Sequence, residues 1–446
     1  MRKKLKFHIK TYGCQMNERD SEAISVALEA GGLSATACEN DADVLVFNTC
    51  SVRETAERKA VGKIGIMKKL KKDRPDLIIG VAGCMAQRMK DELFAKLPHI
   101  DFVAGTGQIH KIPEIIKGII GKREKIMNVG ETSEDEKELL DGFGGHLYGD
   151  GKISAFVSVM RGCNRFCSYC IVPYVRGTEN SRPQEIVLRE IRNLADQGIK
   201  EIILLGQNIA AYGLDNSVLG RKKSPFAELL GKIEDIDGIL RVRFTSPHPA
   251  YFSDDLINAV VSLPKVCKNV HLPMQSGSDN ILKKMNRPYT SAEYLAIVEN
   301  LRKGAPEMTF STDVIVGFPG ETEEDFLQTR DLMNKVAFDN AFIFKYSPRE
   351  GTKAANFADD VPKTAKEERN QILLKDLALR AEKHNKAMLG SLVEVLVEGP
   401  SKRNSEKWCG RTGTNKVVIF EPDGKISTGD ILELKISRAT SMSLYA

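Results

Sequence analysis

Long apolar runs are missing from this chain. Nowhere in its 446 residues does a stretch approach the roughly 20 apolar residues that cross a bilayer, so no membrane partner is expected. The basic opening Met1–Lys10 leads into no apolar core, which argues against a secretory leader. Internal repeats and low-complexity tracts are also lacking, which excludes solenoids and biased linker chains. A strong charge of either sign is absent: 65 Lys and Arg against 60 Asp and Glu leave a formal +5, which permits a polyanionic partner without demanding one. What remains, 42% hydrophobic and 28% charged, is a globular composition, and the length calls for two or three domains. A cytoplasmic location is expected. There nine cysteines are poor material for a disulfide framework and read better as metal ligands plus a few buried thiols.

The pattern of apolar residues predicts an α/β multidomain protein. Residues 1–130 alternate strands (Leu5–Lys10, Val44–Phe47, Ile78–Val81) with helices (Ser21–Ala30, Glu54–Leu70, Ala86–Leu97), which implies a parallel-sheet domain. Residues 131–150, acidic and then glycine-rich, read as a linker. Over 151–382 six strand patterns recur with helices between them: Ala155–Met160, Glu201–Leu205, Arg241–Thr245, Asn269–Leu272, Thr309–Val316 and Ala341–Lys345. Six βα units make a partial (β/α)6 barrel rather than a complete eightfold one. Short strands separated by turns over 383–446 predict a small all-β barrel.

The strongest chemical signal is Arg161-Gly162-Cys163-Asn164-Arg165-Phe166-Cys167-Ser168-Tyr169-Cys170. Three thiolates this close can hold three corners of an iron–sulfur cubane and leave the fourth iron open. They fall one short of a structural zinc site, so the rival reading is a zinc knuckle with a distant fourth ligand. The motif follows the first barrel strand, at the end where barrel enzymes do chemistry. Small or polar residues stand at the other strand ends: Gly206, Gln207 and Asn208, then Ser246, then Gln275, then Asp313 and Gly317. Together they suit a ligand cleft, although each alone is equally a loop. His248 and His271 read first as structural histidines.

A second constellation is less obvious. Cys14, Cys50 and Cys84 each follow a predicted buried strand and precede a helix. Strand ends of a parallel sheet are neighbours, and helix N-termini favour thiolates. The triple therefore reads as a second cluster site with an open iron, against the alternative of three unrelated buried cysteines. Cys38, Cys267 and Cys409 fit neither triple. In the C-terminal barrel Lys402, Arg403, Lys407, Arg411 and Lys416 surround Trp408, the only tryptophan. That mixture suits RNA through phosphate contacts and stacking; charge alone allows a solvated loop equally well.

These motifs resemble the methylthiotransferase family of radical S-adenosylmethionine (SAM) enzymes, which joins a cluster-binding domain, a radical SAM barrel and a C-terminal TRAM domain. The resemblance covers nearly the whole chain. It rests on the cysteine motif with Tyr169 before its last cysteine, on Thr11–Asn17, Asn48–Glu54 and Ile171–Gly177, and on Gly410–Thr412 and Val417–Phe420 in the TRAM segment. It implies two 4Fe-4S clusters, an auxiliary one on Cys14, Cys50 and Cys84 and a radical SAM one on Cys163, Cys167 and Cys170. It implies SAM contacts from Tyr169, Gly206, Gln207, Asn208, Ser246, Gln275, Asp313 and Gly317, and RNA contacts from Lys402, Arg403, Trp408 and Arg411. It further implies a monomer, a flavodoxin- or ferredoxin-like electron donor, and a tRNA substrate. One SAM would methylate a sulfur of the auxiliary cluster; a second would yield the radical that takes hydrogen from the adenine ring carbon. The residues after Cys14 favour the branch acting on isopentenyladenosine beside the anticodon over those acting on threonylcarbamoyladenosine or on a ribosomal-protein aspartate. One departure is Ala210, where the family usually carries Asn. Two readings from other classes are a sulfur inserter acting on a small molecule, which would not need the basic barrel, and a non-enzymatic iron–sulfur RNA-binding protein, which would not need a SAM barrel.

Overall fold

The structure, a computed structural model, describes residues 4–122, 124–130, 146, 151–214 and 223–446. The expected linker at 131–150 lies outside the described residues apart from His146. The chain divides into two compact units. The first holds residues 1–148 with 161–165 and 170–182; the second holds the remainder, including 166–169.

In the first unit, strands β1 (Lys6–Thr11), β2 (Ser34–Ala35), β3 (Val44–Thr49), β4 (Ile78–Gly83), β5 (Phe102–Ala104) and β6 (Ile126–Asn128) form one parallel sheet in the order β2-β1-β3-β4-β5-β6. Both central strands, β3 and β4, are buried along their whole length, which is why they read as unbroken apolar runs. Their side chains alternate between two cores. Val44, Val46, Ile78 and Ala82 join Phe7, Leu28 and Ile116 on one face, and Leu45, Phe47, Ile79 and Val81 join Ile64, Met85 and Leu93 on the other. Helices α1 (Gln15–Ala30), α2 (Glu54–Asp73), α3 (Cys84–Met89), α4 (Glu92–Lys96) and α5 (Ile112–Lys122) connect the strands, and α6 (Val172–Arg176) follows the cysteine motif. The single helix expected over Ala86–Leu97 is instead two, because Lys90 takes a left-handed φ of 47° between them.

In the second unit, six parallel strands follow chain order in two three-stranded sheets. They are β7 (Ser154–Ser158), β10 (Glu201–Leu205) and β11 (Arg241–Phe244), then β12 (Asn269–His271), β13 (Thr309–Val316) and β14 (Asn340–Lys345). The labels β8 (Met160–Arg161) and β9 (Asn180–Ser181) mark short strands flanking the cysteine motif. An isolated bridge joins Val242 to Val266 between the two sheets. The six strands are those expected from sequence.

The C-terminal sheet comprises β15 (Leu392–Pro400), β16 (Trp408–Thr412), β17 (Val417–Phe420), β18 (Ile431–Lys435), β19 (Arg438–Ala439) and β20 (Leu444–Tyr445), ordered β18-β15-β16-β17-β20-β19. It encloses Val395, Val397, Val418, Phe420, Ile436 and Leu444. It docks on the N-terminal ends of the barrel strands. Arg243 pairs with Glu201 at 2.7 Å and donates to the Thr412 and Gly413 carbonyls; Arg241 pairs with Glu394. Lys416 reaches Asp339 at 2.7 Å, and Thr309 donates to the Thr414 carbonyl. Among the described residues no helix is long and apolar enough to cross a membrane.

Candidate metal centre and cofactor site

The order β2-β1-β3-β4 places a topological switch between β1 and β3, where the connections leave in opposite directions. In open α/β sheets the crevice outside the strand ends at such a point is where ligands bind. Cys14 sits there as the residue before α1, Cys50 follows β3, and Cys84 opens α3 directly after β4. The close approach depends on glycine: a Cβ on Gly13, whose φ is +119°, would meet the Cys50 Cβ at 2.4 Å and its Sγ at 3.0 Å. Buried amides fix the strand ends. The Asn17 Nδ2 donates to the Tyr12 and Thr49 carbonyls at 2.8 and 2.9 Å, and the Asn48 Nδ2 donates to the Asn17 carbonyl at 2.9 Å.

The three thiols feel one another. Burial pushes Cys84 up to about 12, with Arg176 opposing the rise and Cys50 and Cys14 adding to it. Cys50 is raised by burial and then by Cys14. Left to themselves Cys50 and Cys84 keep their protons; a metal centre that accepts thiolates replaces the protons and satisfies the donors. Among the described residues no three His, Cys, Asp or Glu side chains converge on a single ion. A cubane, which binds one thiolate at each of three separate irons, needs no such convergence. The donor set and its mutual proximity therefore fit a cluster.

Cys163, Cys167 and Cys170 lie on the loop after β7. The Cys163 N–H donates to the Gly177 carbonyl at 3.1 Å, and the Asn164 and Glu179 side chains each accept from the other residue's backbone N–H. In the second unit, the Cys167 Sγ lies 3.7 Å from an Arg287 nitrogen. Arg287 is buried and held by Tyr289 and the Pro273 carbonyl. Ser168 is tied to the Lys284 and Met285 carbonyls. Tyr169 packs on Ile281, Met285, Phe318 and Tyr346. Arg287 is a functional candidate that sequence reasoning missed; it lies 120 residues from its cysteine and outside any motif.

The strand-end residues stand at the carboxyl ends of β10 to β13. The Asn208 Oδ1 accepts from the His248 N–H at 3.1 Å, and the Gln275 N–H donates to the Asp313 carbonyl at 2.8 Å. Ser246 and Gln275 hold left-handed φ values of 60° and 65°, strain that concentrates where a ligand is gripped. The Gln207 Oε1 and Asn208 Nδ2 are buried with no hydrogen-bond partner among the described residues. Unmet polar atoms at strand ends fit a polar ligand such as SAM. Asp313 lies 3.5 Å from His271 Nε2, so its carboxylate is shared with a histidine. The Gly317 N–H donates to Glu321. Ala210 is fully buried in the turn Ile209–Ala211, a setting in which an Asn would need its own partners.

The basic stretch divides. Lys402 and Arg403 are exposed. Trp408 packs partly against the core of the C-terminal sheet, and Arg411 pairs with Glu398 at 2.8 Å.

Family models match three segments: Uncharacterized protein family UPF0004 at residues 6–105, the radical SAM superfamily at 157–333 and the TRAM domain at 386–446. Among curated relatives, the tRNA-2-methylthio-N(6)-dimethylallyladenosine synthase of Akkermansia muciniphila is 44% identical, covering 99% of this chain and 98% of its own. Its namesake from Syntrophus aciditrophicus is 48% identical, covering 98% and 93%. The chain belongs to the tRNA-2-methylthio-N(6)-dimethylallyladenosine synthase family. As a member of this synthase family with a radical SAM domain, it is an enzyme. Beyond the synthases, the fold is similar to the radical SAM methyltransferase TsrM from Kitasatospora setae, with a TM-score of 0.57 at 16% identity, covering 76% of this chain and 73% of that one. The cobalamin-dependent SAM radical enzyme OxsB gives 0.51 at 13% identity, covering 84% and 56%.

Proposed function

We propose that the protein is a tRNA methylthiotransferase that converts N6-isopentenyladenosine beside the anticodon to its 2-methylthio derivative. The observation that carries this reading is identity near 45% with synthases of that name along almost the whole chain. In this reading Cys163, Cys167 and Cys170 hold the radical SAM cluster, and Cys14, Cys50 and Cys84 hold an auxiliary cluster. When bound, the clusters and SAM supply one-electron cleavage of a sulfonium and a store of transferable sulfur. The chain's own part is positioning. Arg287 sets a cation beside Cys167, where it stabilises a thiolate. Gln207, Asn208 and the strained Ser246 and Gln275 offer polar groups to SAM, with Tyr169, Gly206, Asp313 and Gly317 around them. Lys402 and Arg403 meet phosphates, with Trp408 and Arg411 beside them. The domains are assigned as 1–130, 151–382 and 383–446. The enzyme works in the cytoplasm as a monomer and draws electrons from a flavodoxin- or ferredoxin-like donor.

The test is anaerobic incubation of the reconstituted protein with SAM, a reductant and isopentenylated tRNA, followed by mass spectrometry of the nucleosides. The reading expects 2-methylthio-isopentenyladenosine. Modification of threonylcarbamoyladenosine instead, or SAM cleavage with no methylthiolated nucleoside, would sink it.

A further inference from the structure

The helix that follows Cys170 ends on an unusual charge group. Within the first unit, Ile171 and Val175 pack directly on Cys84, and the Thr106 hydroxyl donates to the Val175 carbonyl. The next residue, Arg176, points a terminal nitrogen at the Asn17 Oδ1, 2.7 Å away, and at the Asp20 Oδ2, 3.1 Å away. The other Asp20 oxygen takes Arg161 at 2.9 Å. Arg176 and Asp20 are 4% and 1% exposed. Asn17 in turn ties the Tyr12 and Thr49 carbonyls, next to Cys14 and Cys50.

Two guanidiniums share one carboxylate, so these three side chains together carry one positive charge in excess. Burying an ion without its counterion is costly, and a single arginine would already satisfy Asp20. The cysteines lie beside that excess: the Asn17 Oδ1 that accepts from Arg176 is 3.9 Å from the Cys14 Sγ, and Cys84 packs on Val175, the residue before Arg176. Three thiolates overbalance the positive core of an oxidised cubane, so a cluster held by them is a net anion that needs a buried cation.

We propose that Arg176, oriented by Asp20 and Asn17, is the positioning residue that neutralises the auxiliary cluster and raises its reduction potential. The inference rests on the auxiliary-cluster reading above. The electron comes from the external low-potential reductant; it adds one negative charge to the cluster, and no bond forms or breaks. The fixed cation stabilises that added charge, and it favours an anionic sulfur ligand at the open iron in the same way. Because Arg176 stands six residues after Cys170, one short segment carries a ligand of the first cluster and the counter-charge of the second.

The experiment uses the full-length chain with Cys163, Cys167 and Cys170 changed to Ala, so that one cluster remains, reconstituted anaerobically and titrated with dithionite while its paramagnetic signal is followed. Arg176→Gln shifts the one-electron equilibrium towards the oxidised form by about tenfold, a potential lower by about 59 mV. Arg176→Lys restores most of that shift. Asp20→Asn, which removes a negative charge, moves the potential the other way. A purely structural tie would move Arg176→Gln and Asp20→Asn in the same direction or leave the potential alone at full iron content, and either result overturns the proposal. If Arg176→Gln loads no iron, Asp20→Asn still decides: a raised potential supports the proposal and an unchanged or lowered one refutes it. A parent that binds no iron refutes the auxiliary cluster itself, which the iron count reads separately from the potential.

Discussion

Replacing Arg243 with Met would test whether the C-terminal sheet is a fixed part of the barrel. The guanidinium is buried against Glu201, with side-chain exposures of 9% and 4%. Its remaining nitrogens serve the Thr412 and Gly413 carbonyls at 2.8 and 3.3 Å. The substitution keeps the apolar stem but strands a buried carboxylate, which costs about 3–5 kcal/mol. Total stabilities of about 5–15 kcal/mol make that a large fraction. The loss should concentrate in docking, so urea unfolding followed by hydrogen exchange should show early opening of the β16–β17 hairpin while the iron content stays constant. Adding Glu201→Leu removes the stranded charge and should recover most of the loss, since a buried pair replaced by apolar residues is often near neutral. A loss below about 1 kcal/mol, or a double variant no more stable than Arg243→Met, would refute the argument, because the pair would then not be coupled.

Acid should loosen the same interface through Asp339. Burial raises its carboxyl, but His384, Lys416 and the Phe310 N–H together outweigh it and hold the group below the usual range. A depressed carboxyl contributes stability that is present above its unfolded value near about 3.9 and lost as pH falls through the folded one; Asp339→Asn should flatten the acid limb of a stability–pH curve. Reconstitution should load about eight irons, as two cubanes require, and Cys14, Cys50 and Cys84 changed to Ala should remove half, by iron assay. Lys402→Ala with Arg403→Ala should weaken tRNA binding and reduce the magnitude of its salt slope by roughly one unit per lost phosphate contact. Arg411→Ala should change that slope less, since Glu398 already holds Arg411; filter binding across a salt series separates the two.

Much of the second unit was legible because each barrel strand is a distinct apolar run between helices. The buried β3 and β4 were legible for the same reason, and the switch-point cysteines followed from them. Strands β5 and β6, three residues each, are too short to show a period. Strand β16 was hidden because Gly410 and Arg411 break its alternation, and the stretch reads by its charge, as an RNA-binding surface or a solvated loop. Its backbone is instead part of the interface that caps the N-terminal strand ends, opposite the cofactor residues. Removing residues from 383 onward would therefore strip partners from Arg241, Arg243 and Asp339, so point substitutions are the cleaner probe of RNA binding. The Arg176–Asp20 pair joins residues 156 apart, a distance no local pattern encodes.

The central claim is that the two cysteine triples do different work. Full-length protein with Cys14, Cys50 and Cys84 changed to Ala, incubated with SAM, strong reductant and isopentenylated tRNA, tests it in a single reaction by measuring 5′-deoxyadenosine and the methylthiolated nucleoside together. The account predicts continued release of 5′-deoxyadenosine and no methylthiolated product; formation of that product by this variant would contradict it.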